Sequence, residues 1–382
     1  MPAKKKTRKS VQTASSTGTA RTVIYCHGIF DKPPERQLRS EWDRALFGAD
    51  QGERTRMAYW VDRERYPESF GMGAKTLATE GEFAESRAEV ILKRSLAESD
   101  SRAASEALAH SLEETLQAAL ARAAAADADR GGPGVKAVGS KGIFSPITNL
   151  FTKILLADVN DFLFNKVKRD RMVQTVKARM ETGGGPFVVI GHSQGSMVTY
   201  QALMELGGTF PVELFVTLGS PLGLPQVRSE LKKWHGNDLP IPPGVKRWIN
   251  VARDGDIVCA DQTLADEYRT AGKTPVDYRI GRFAFPPAKA HEVRDYLACE
   301  ATRQNVMGAV DRSRFQQVGA FTVARDLAGA LDEDATERVP VLIELSDRPA
   351  QGTSGNEPDT LRKAKESVVE WIEKKIAPDE KR

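Results

Sequence analysis

The sequence predicts an α/β fold, in which a mostly parallel β-sheet is covered by helices on both faces. An apolar strand at 22–26 is followed by helical spacing over 36–47 and then by a second apolar run at 57–61. Further along, the Val- and Ile-containing run 187–190 leads through a glycine-rich turn into a helix-favouring stretch. Chains in which strands alternate with helices form parallel sheets, because each helix returns the chain to the same edge.

The composition limits the class of protein. Lys and Arg total 55 against 52 for Asp and Glu, so the net charge is +3, and much of the excess lies in the basic tail 1–20, which we expect to be disordered. The rest is near neutral and gives no reason to expect a nucleic-acid partner. No stretch reaches the roughly 18 apolar residues of a membrane span, and no apolar signal segment follows the first lysines, so we expect a cytoplasmic protein.

The cysteines give no sign of cross-linking or metal binding. Cys26, Cys259 and Cys299 are odd in number, widely spaced and without a C-x-x-C pair. This pattern argues against both a disulfide framework and a zinc site. We expect the three thiols to be packing residues in a reducing compartment.

After the second strand, the alternation gives way to a long helical insertion ahead of the run 187–190. Helix-forming Ala, Glu and Arg dominate 82–128, glycines from 131 onward break this run, and a second helical region covers 145–181. We interpret residues 158–181 as helix that covers the sheet. For residues 70–150 two alternatives stay open, a mobile cap over the site or a helical decoration.

The remaining predicted elements are strands at 214–218, 248–252 and 276–283, a helix near 261–271 and a helix beginning at Glu292. The main domain is expected to span 21–300. A strand at 338–346 and a charged amphipathic helix at 359–376 fall in a C-terminal extension, 301–382. This extension could continue the sheet or dock a protein partner.

A nucleophile elbow is the most informative motif. Gly191-His192-Ser193-Gln194-Gly195 stands between an apolar strand and a helix and has the pattern G-x-S-x-G. The turn is so tight that the positions two residues either side of the serine must be almost free of side chain, which explains both glycines. Backbone N–H groups at the start of the helix would stabilise an oxyanion there. The motif predicts Ser193 as the nucleophile of an acyl transfer.

A serine hydroxyl needs a base to take its proton, and the base works best when a carboxylate fixes its tautomer. Of the five histidines, only His291 follows both the serine and a strand-terminal acid, on a loop after the last predicted core strand. We therefore predict His291 as the general base. The other four are expected to brace a loop (His27), to point away from the serine (His192) or to face solvent (His110, His235).

Two aspartates compete for the role of the acid. Asp254 and Asp256 both lie just past the strand that ends at Ala252. Asp256 precedes the apolar pair Ile257-Val258, which would anchor the loop and bury the carboxylate. We favour Asp256, and we expect Asp254 to pair with a nearby arginine.

The oxyanion hole needs two N–H donors. One is the residue after the nucleophile, Gln194. The second should come from the loop after the first strand, where His27-Gly28 permits close approach of the backbone. Ile29 is the expected donor and Phe30 is the neighbouring alternative.

With these residues the chain resembles the α/β-hydrolase superfamily, particularly bacterial serine esterases and lipases with a His-Gly oxyanion loop and a G-H-S-Q-G elbow. The resemblance covers about residues 20–300. It implies an ester, thioester or lipid substrate, and neither a metal nor an organic cofactor. We expect a serine hydrolase that cleaves a carboxylic ester with an apolar acyl chain through an acyl-enzyme.

Two other functions are compatible with the same residues. A peptidase, amidase or thioesterase could use the same triad, because the triad itself does not select an ester. A binding or regulatory protein could retain the elbow and make its contacts through the C-terminal extension and the basic tail.

Overall fold

Six parallel strands form a single sheet in the order β2-β1-β3-β4-β5-β6. The structure is a computed structural model and describes residues 19–29, 32–63, 81–130, 146–280 and 287–315. The strands are β1 (Thr22–Cys26), β2 (Thr55–Ala58), β3 (Phe187–His192), β4 (Val212–Leu218), β5 (Trp248–Arg253) and β6 (Val276–Ile280). The expected parallel α/β architecture is therefore present.

The helices cover both faces of this sheet. They are α1 (Glu35–Phe47), α2 (Gly81–Ala97), α3 (Arg102–Asp129), α4 (Pro146–Phe164), α5 (Lys166–Glu181), α6 (Gln194–Leu206), α7 (Pro225–Trp234), α8 (Pro287–Ala290), α9 (Val293–Ala298) and α10 (Glu300–Ala309). Side chains alternate along each strand, so on β1 Ile24 and Val23 point into different cores. The first core includes α5, α6 and α7, and the second includes α1, α9 and α10.

Two predicted elements differ at their ends for local reasons. The second strand begins at Thr55 and stops at Ala58, because the backbone N–H of Trp60 donates to His27 Nε2 at 3.0 Å and has left the ladder. The helical region 145–181 is divided at Asn165, whose side chain accepts from Lys168 N and caps α5. Residues 158–164 therefore belong to α4, which packs against α2, and only the later part of the predicted stretch lies on the sheet.

A buried polar network joins the helices of the insertion. Ser95 Oγ of α2 donates to Asp161 Oδ1 at 2.7 Å, and Asn160 Nδ2 donates back to Ser95 Oγ at 3.0 Å. Ser105 of α3 donates to Asn160 Oδ1 at 2.5 Å. Because each of these side chains is buried and bonded to another helix, α2, α3 and α4 form one packed layer. The connector that begins at 131 lies outside the described residues.

The helix expected near 261–271 is absent. A single turn closes there, with Tyr268 N donating to Leu264 O at 2.9 Å. The carboxylate of Asp277 on β6 accepts from the N–H groups of Leu264 and Ala265, which ties this turn to the sheet edge. Tertiary bonds from another element have replaced the intrahelical ones.

The domain also continues past the predicted boundary at 300. Helix α10 packs on the sheet beside β4, and Val310 forms a parallel bridge with Ala20. Phe315 is buried against Phe47. The strand predicted at 338–346, the helix at 359–376 and residues 1–18 of the tail lie outside the described residues. Within the described ranges no helix combines the length and apolarity needed to cross a bilayer.

Candidate active site

The turn between β3 and α6 holds Ser193 in a strained backbone conformation. Its φ is 56° and its ψ is −134°, a region that non-glycine residues occupy at a cost of about 1–3 kcal/mol. The N–H of Ser193 donates to Leu218 O on β4 at 2.9 Å, which fixes the turn against the sheet. The side chain that carries the predicted nucleophile is only 1% exposed.

Both glycines of the elbow are required by close approach. A Cβ at Gly191 would lie 2.6 Å from Ser196 Cα in the first turn of α6. A Cβ at Gly195 would collide with the carbonyl oxygens of Cys26 and His27 at the end of β1. The two glycines thus allow α6 to approach the sheet directly behind the serine.

His291 and Asp256 form a buried hydrogen-bonded pair. His291 Nδ1 donates to Asp256 Oδ2 at 2.8 Å, the same oxygen accepts from the Tyr296 hydroxyl at 2.6 Å, and Oδ1 accepts from Val258 N at 2.9 Å. Burial raises the pKa of the Asp256 carboxyl, but the charge and hydrogen bond of His291, with the two further donors, outweigh it and leave the pKa below its ordinary value. The carboxylate is therefore ionised at neutral pH.

This pair leaves one nitrogen of the imidazole unengaged. With the proton on Nδ1, His291 Nε2 carries a lone pair. Among the described residues, neither His291 Nε2 nor Ser193 Oγ has a hydrogen-bond partner, although both atoms are buried. The ring of His291 lies 4.6 Å from that of His192, the chain neighbour of Ser193. The structure thus brings the three predicted triad residues to one edge of the sheet.

Two side chains at this site were not predicted. His192, for which we predicted only that it points away from the serine, donates through Nε2 to the backbone carbonyl of His291 at 3.2 Å. Burial, and then the neighbouring charge of His291, lower the pKa of His192 well below its ordinary value, so it remains neutral. Tyr296 donates to the same oxygen of Asp256 as His291 does. In the sequence, Tyr296 is marked only by its position in the predicted helix that begins just after His291.

The loop after β1 runs directly against the serine. A Cβ at Gly28 would lie 2.5 Å from Ser193 Cβ and 3.0 Å from its Oγ. Ile29, the predicted second oxyanion donor, follows in this loop and is buried. Gln194, the predicted first donor, is the first residue of α6, where backbone N–H groups have no intrahelical acceptor. Phe30 lies outside the described residues.

Both donor segments are held from behind. His27 Nδ1 donates to Gly28 O at 2.8 Å, and the ring stacks on Trp60 with centroids 4.7 Å apart. Burial lowers the pKa of His27 to about 3, so the ring is neutral and braces the loop as expected. The side chain of Gln194 donates through Nε2 to Asp158 O of α4 at 2.6 Å.

The competing aspartate lies outside this cluster. Asp254 is exposed, and its Oδ1 accepts from Gln262 Nε2 at 2.9 Å. The prediction that Asp254 pairs with a nearby arginine is wrong, because the adjacent Arg253 donates to Asp295 Oδ2 at 2.6 Å. The other two histidines also lie away from the cluster: His110 is exposed beside Glu114, and His235 is half-buried against Tyr200.

The insertion reaches the site through α4. Phe151 is buried and meets the ring of His291 edge-on, with centroids 5.7 Å apart. Helix α4 of the insertion therefore contacts the predicted base. Comparisons of the chain with protein-family models, with curated proteins and with solved structures found no match.

Proposed function

We propose that this protein is a serine hydrolase of the α/β-hydrolase type that cleaves a carboxylic ester through an acyl-enzyme. The observation that carries the proposal is that two buried polar atoms, on the candidate nucleophile and the candidate base, lack a partner among the described residues. Ser193 Oγ and His291 Nε2 have no described partner, yet one is presented by a strained turn and the other by an imidazole bonded to Asp256. Buried polar atoms are usually paired, so unpartnered ones on a serine and on a histidine bonded to a carboxylate favour a catalytic role for both.

The arrangement of the strands gives independent support. The serine follows β3, the acid follows β5 and the histidine follows β6, which is the chain order Ser, Asp, His of α/β-hydrolases. Because all six strands are parallel, their carboxyl ends meet at one edge.

In the proposed acylation, Ser193 Oγ bonds to the ester carbonyl carbon while its proton moves to His291 Nε2. Asp256 stabilises the imidazolium, and the N–H groups of Gln194 and Ile29 receive the negative charge on the carbonyl oxygen. The C–O bond then breaks, and the leaving alcohol takes the proton from Nε2. Water repeats the sequence on the acyl-enzyme and releases the acid, which regenerates the hydroxyl.

A fluorophosphonate probe tests this function, because it reacts covalently with an activated serine. We expect the wild-type chain to be labelled and the Ser193→Ala variant to remain unlabelled. Turnover of p-nitrophenyl esters should fall by on the order of 10⁶ in Ser193→Ala. Ser229→Ala, which removes an exposed serine of α7, is the matched control and should react as wild type does. Absence of labelling in folded wild-type protein would overturn the proposal.

A further inference from the structure

A cleft of about 550 Å³ opens between α2, α4 and α5, beside the segment that follows β2. This volume is within the range of roughly 300–1,000 Å³ that small-molecule sites occupy. Neither Ser193 nor His291 lines it. The cleft is therefore separate from the proposed reaction centre and needs its own explanation.

One wall of the cleft is a single face of α2. Arg87, Val90, Ile91 and Arg94 are spaced i, i+3, i+4 and i+7, so they follow one another along the helix surface. Val90 is 64% exposed, one of three large apolar side chains with high exposure among the described residues. The face thus has an apolar centre between two arginines.

The opposite wall repeats this pattern on α5. Lys168, Arg171, Met172 and Thr175 have the same spacing, and they also line the cleft. Met172 lies between basic residues and a threonine. Two helices therefore line the same space with both apolar and basic side chains.

The acidic side chains of the cleft are the less accessible ones. Asp158 and Asp161 are buried, and Asp161 Oδ2 accepts from Lys168 Nζ at 2.9 Å. On the rim, Glu98 pairs with Arg94 at 2.6 Å. Asp62 is half-buried, whereas Arg171 is exposed and forms no ion pair with a described residue. Five basic side chains line the cleft against three acidic ones, so the net charge of its lining is positive.

The cleft is joined to the oxyanion segments by direct contacts. Trp60, which lines it, stacks on His27 and donates through Nε1 to His27 O at 3.0 Å. The side chain of Gln194 lies between Asp158 O and Met172 Sδ, two further lining residues. A ligand in the cleft would rest on the residues that support both proposed oxyanion donors.

We propose that this cleft binds a single-chain amphipathic anion, an alkyl or acyl chain that carries a carboxylate or phosphate. The chain contacts Val90, Ile91 and Met172, and the exposed guanidinium of Arg171 beside them binds the anionic group. Because neither Ser193 nor His291 lines the cleft, this inference goes beyond the proposed function and does not depend on it.

The test is calorimetric titration of the full-length Ser193→Ala protein, which binds without turning over. Dodecanoate and dodecyl phosphate, each below its micelle concentration, are compared with the uncharged dodecyl maltoside. We expect both anions to bind at least about 10-fold more tightly than the neutral amphiphile, and the two arms report which head group is preferred. Equal affinity for the neutral amphiphile would overturn the proposal.

Matched surface variants assign the binding to the cleft. Val90→Asp and Arg171→Gln should each weaken binding of the anions by about 10-fold. Their controls are Val167→Asp, at another exposed valine outside the cleft, and Arg122→Gln, on the exposed face of α3. All four positions are exposed, so the variants should fold, and circular dichroism checks this. Unchanged affinity in both cleft variants would overturn the assignment.

Labelling of the wild-type serine separates the two proposals. If the probe labels Ser193 but no anion binds, the cleft proposal fails and the hydrolase proposal stands. If anions bind through the cleft while the serine stays unlabelled, the hydrolase proposal fails instead, and the cleft is a site of a binding protein.

Discussion

The backbone of Ser193 is the residue-scale feature from which the rest of the site follows. Its positive φ is held by α6 packing closely behind the turn and by the loop after β1 running in front of it. Glycine is present at each point of closest approach, at positions 28, 191 and 195. The serine therefore has little freedom to relax.

Substitution of Gly28 tests this close approach. In Gly28→Ala the new Cβ would stand 2.5 Å from Ser193 Cβ, so the loop must move away and take the predicted Ile29 donor with it. We expect esterase activity to fall by about 100-fold or more, as for loss of an oxyanion donor. The control is Gly308→Ala in an exposed part of α10. A Cβ added at Gly308 would have no atom within 4 Å, so activity should be unchanged. Equal activity in both variants would contradict the proposed position of the loop.

The two aspartates after β5 make a second residue-scale prediction. Asp256→Asn removes the charge that orients and stabilises the His291 imidazolium, and should lower kcat by roughly 10⁴-fold. Asp254→Asn changes an exposed side chain that bonds only to Gln262 among the described residues, and should lower kcat less than about 2-fold. Measurement of kcat for a p-nitrophenyl ester in both variants checks this prediction. A larger loss in Asp254→Asn than in Asp256→Asn would assign the role of the acid to Asp254.

His192 is expected to act as a positioning residue for the base. His192→Leu leaves the His291 carbonyl without its donor, and we expect kcat to fall roughly 10-fold with little change in KM. His192→Gln can restore a donor near the Nε2 position and should recover part of the loss. If leucine and glutamine at this position gave the same kcat, the hydrogen bond would have no role.

The sequence could identify Ser193, Asp256 and His291 as candidates because a motif and a chain order single them out. It could not identify His192 or Tyr296 in their observed roles. The His192 bond spans 99 positions along the chain, and the Tyr296 bond spans 40. Such contacts are created only when separate strands and helices pack together, and no local pattern encodes them.

At the scale of elements, the insertion is a packed layer and not a loose appendage. Its helices share a buried polar network around Asn160, and α3 is bonded to α7 through Gln226 Nε2 and Ser111 Oγ at 2.9 Å. The layer is thus attached to the sheet domain at more than one place. Through Phe151 of α4, this layer also contacts the ring of His291.

Breaking the network should destabilise this layer. Asn160→Leu removes the partner of both Ser95 and Ser105 in a buried site, and we expect the free energy of unfolding to fall by about 2–4 kcal/mol. Gln117→Leu, on the exposed face of α3, is the control and should change it by less than about 0.5 kcal/mol. Urea unfolding measures both, and equal values would show that the network contributes nothing.

Helical propensity identified the insertion but not its internal divisions. The start of α5 is set by a single polar residue, Asn165, within a helix-favouring composition. At 261–271 propensity failed altogether, because the carboxylate of Asp277, on a strand later in the chain, binds the N–H groups of that segment. Helical propensity does not decide the structure of a segment whose backbone N–H groups bind an acceptor from another element.

At the scale of the whole molecule, burying neutral histidines makes stability depend on pH. Burial lowers the pKa of His27 from 6.5 to about 3, so between these values the unfolded chain binds a proton that the folded chain does not. The stabilising contribution is fully present above pH 6.5 and is lost as the pH falls toward 3. From about pH 7 to about pH 5 we expect a loss of roughly 2 kcal/mol from His27 alone.

Urea unfolding at these two pH values measures this loss, and His192 should add to it in the same direction. The lowered pKa of Asp256 affects stability at lower pH. Its stabilising contribution is fully present above its unfolded pKa near 3.8 and is lost as the pH falls through its folded pKa. His27→Gln should reduce the difference between the two pH values. A stability that does not change between them would contradict the burial of both rings as neutral species.

The parallel sheet itself was predictable, since apolar strands alternating with helices have few other solutions. The order of the strands was not, because periodicity does not say on which side of β1 each later strand adds. That order has a consequence for where chemistry can occur. From β1 the chain passes to one side through α1, and it returns on the other side as β3 after α5 on the opposite face.

Such a reversal is a topological switch point, where neighbouring loops diverge and leave a crevice at the carboxyl ends of two strands. Here the segments on the two sides of the switch point are the loop after β1 and the turn that holds Ser193. The crevice is produced by winding direction and owes nothing to the helices of the insertion. Replacing those helices would therefore change which substrates reach the site, while Ser193, the proposed nucleophile, would keep its position.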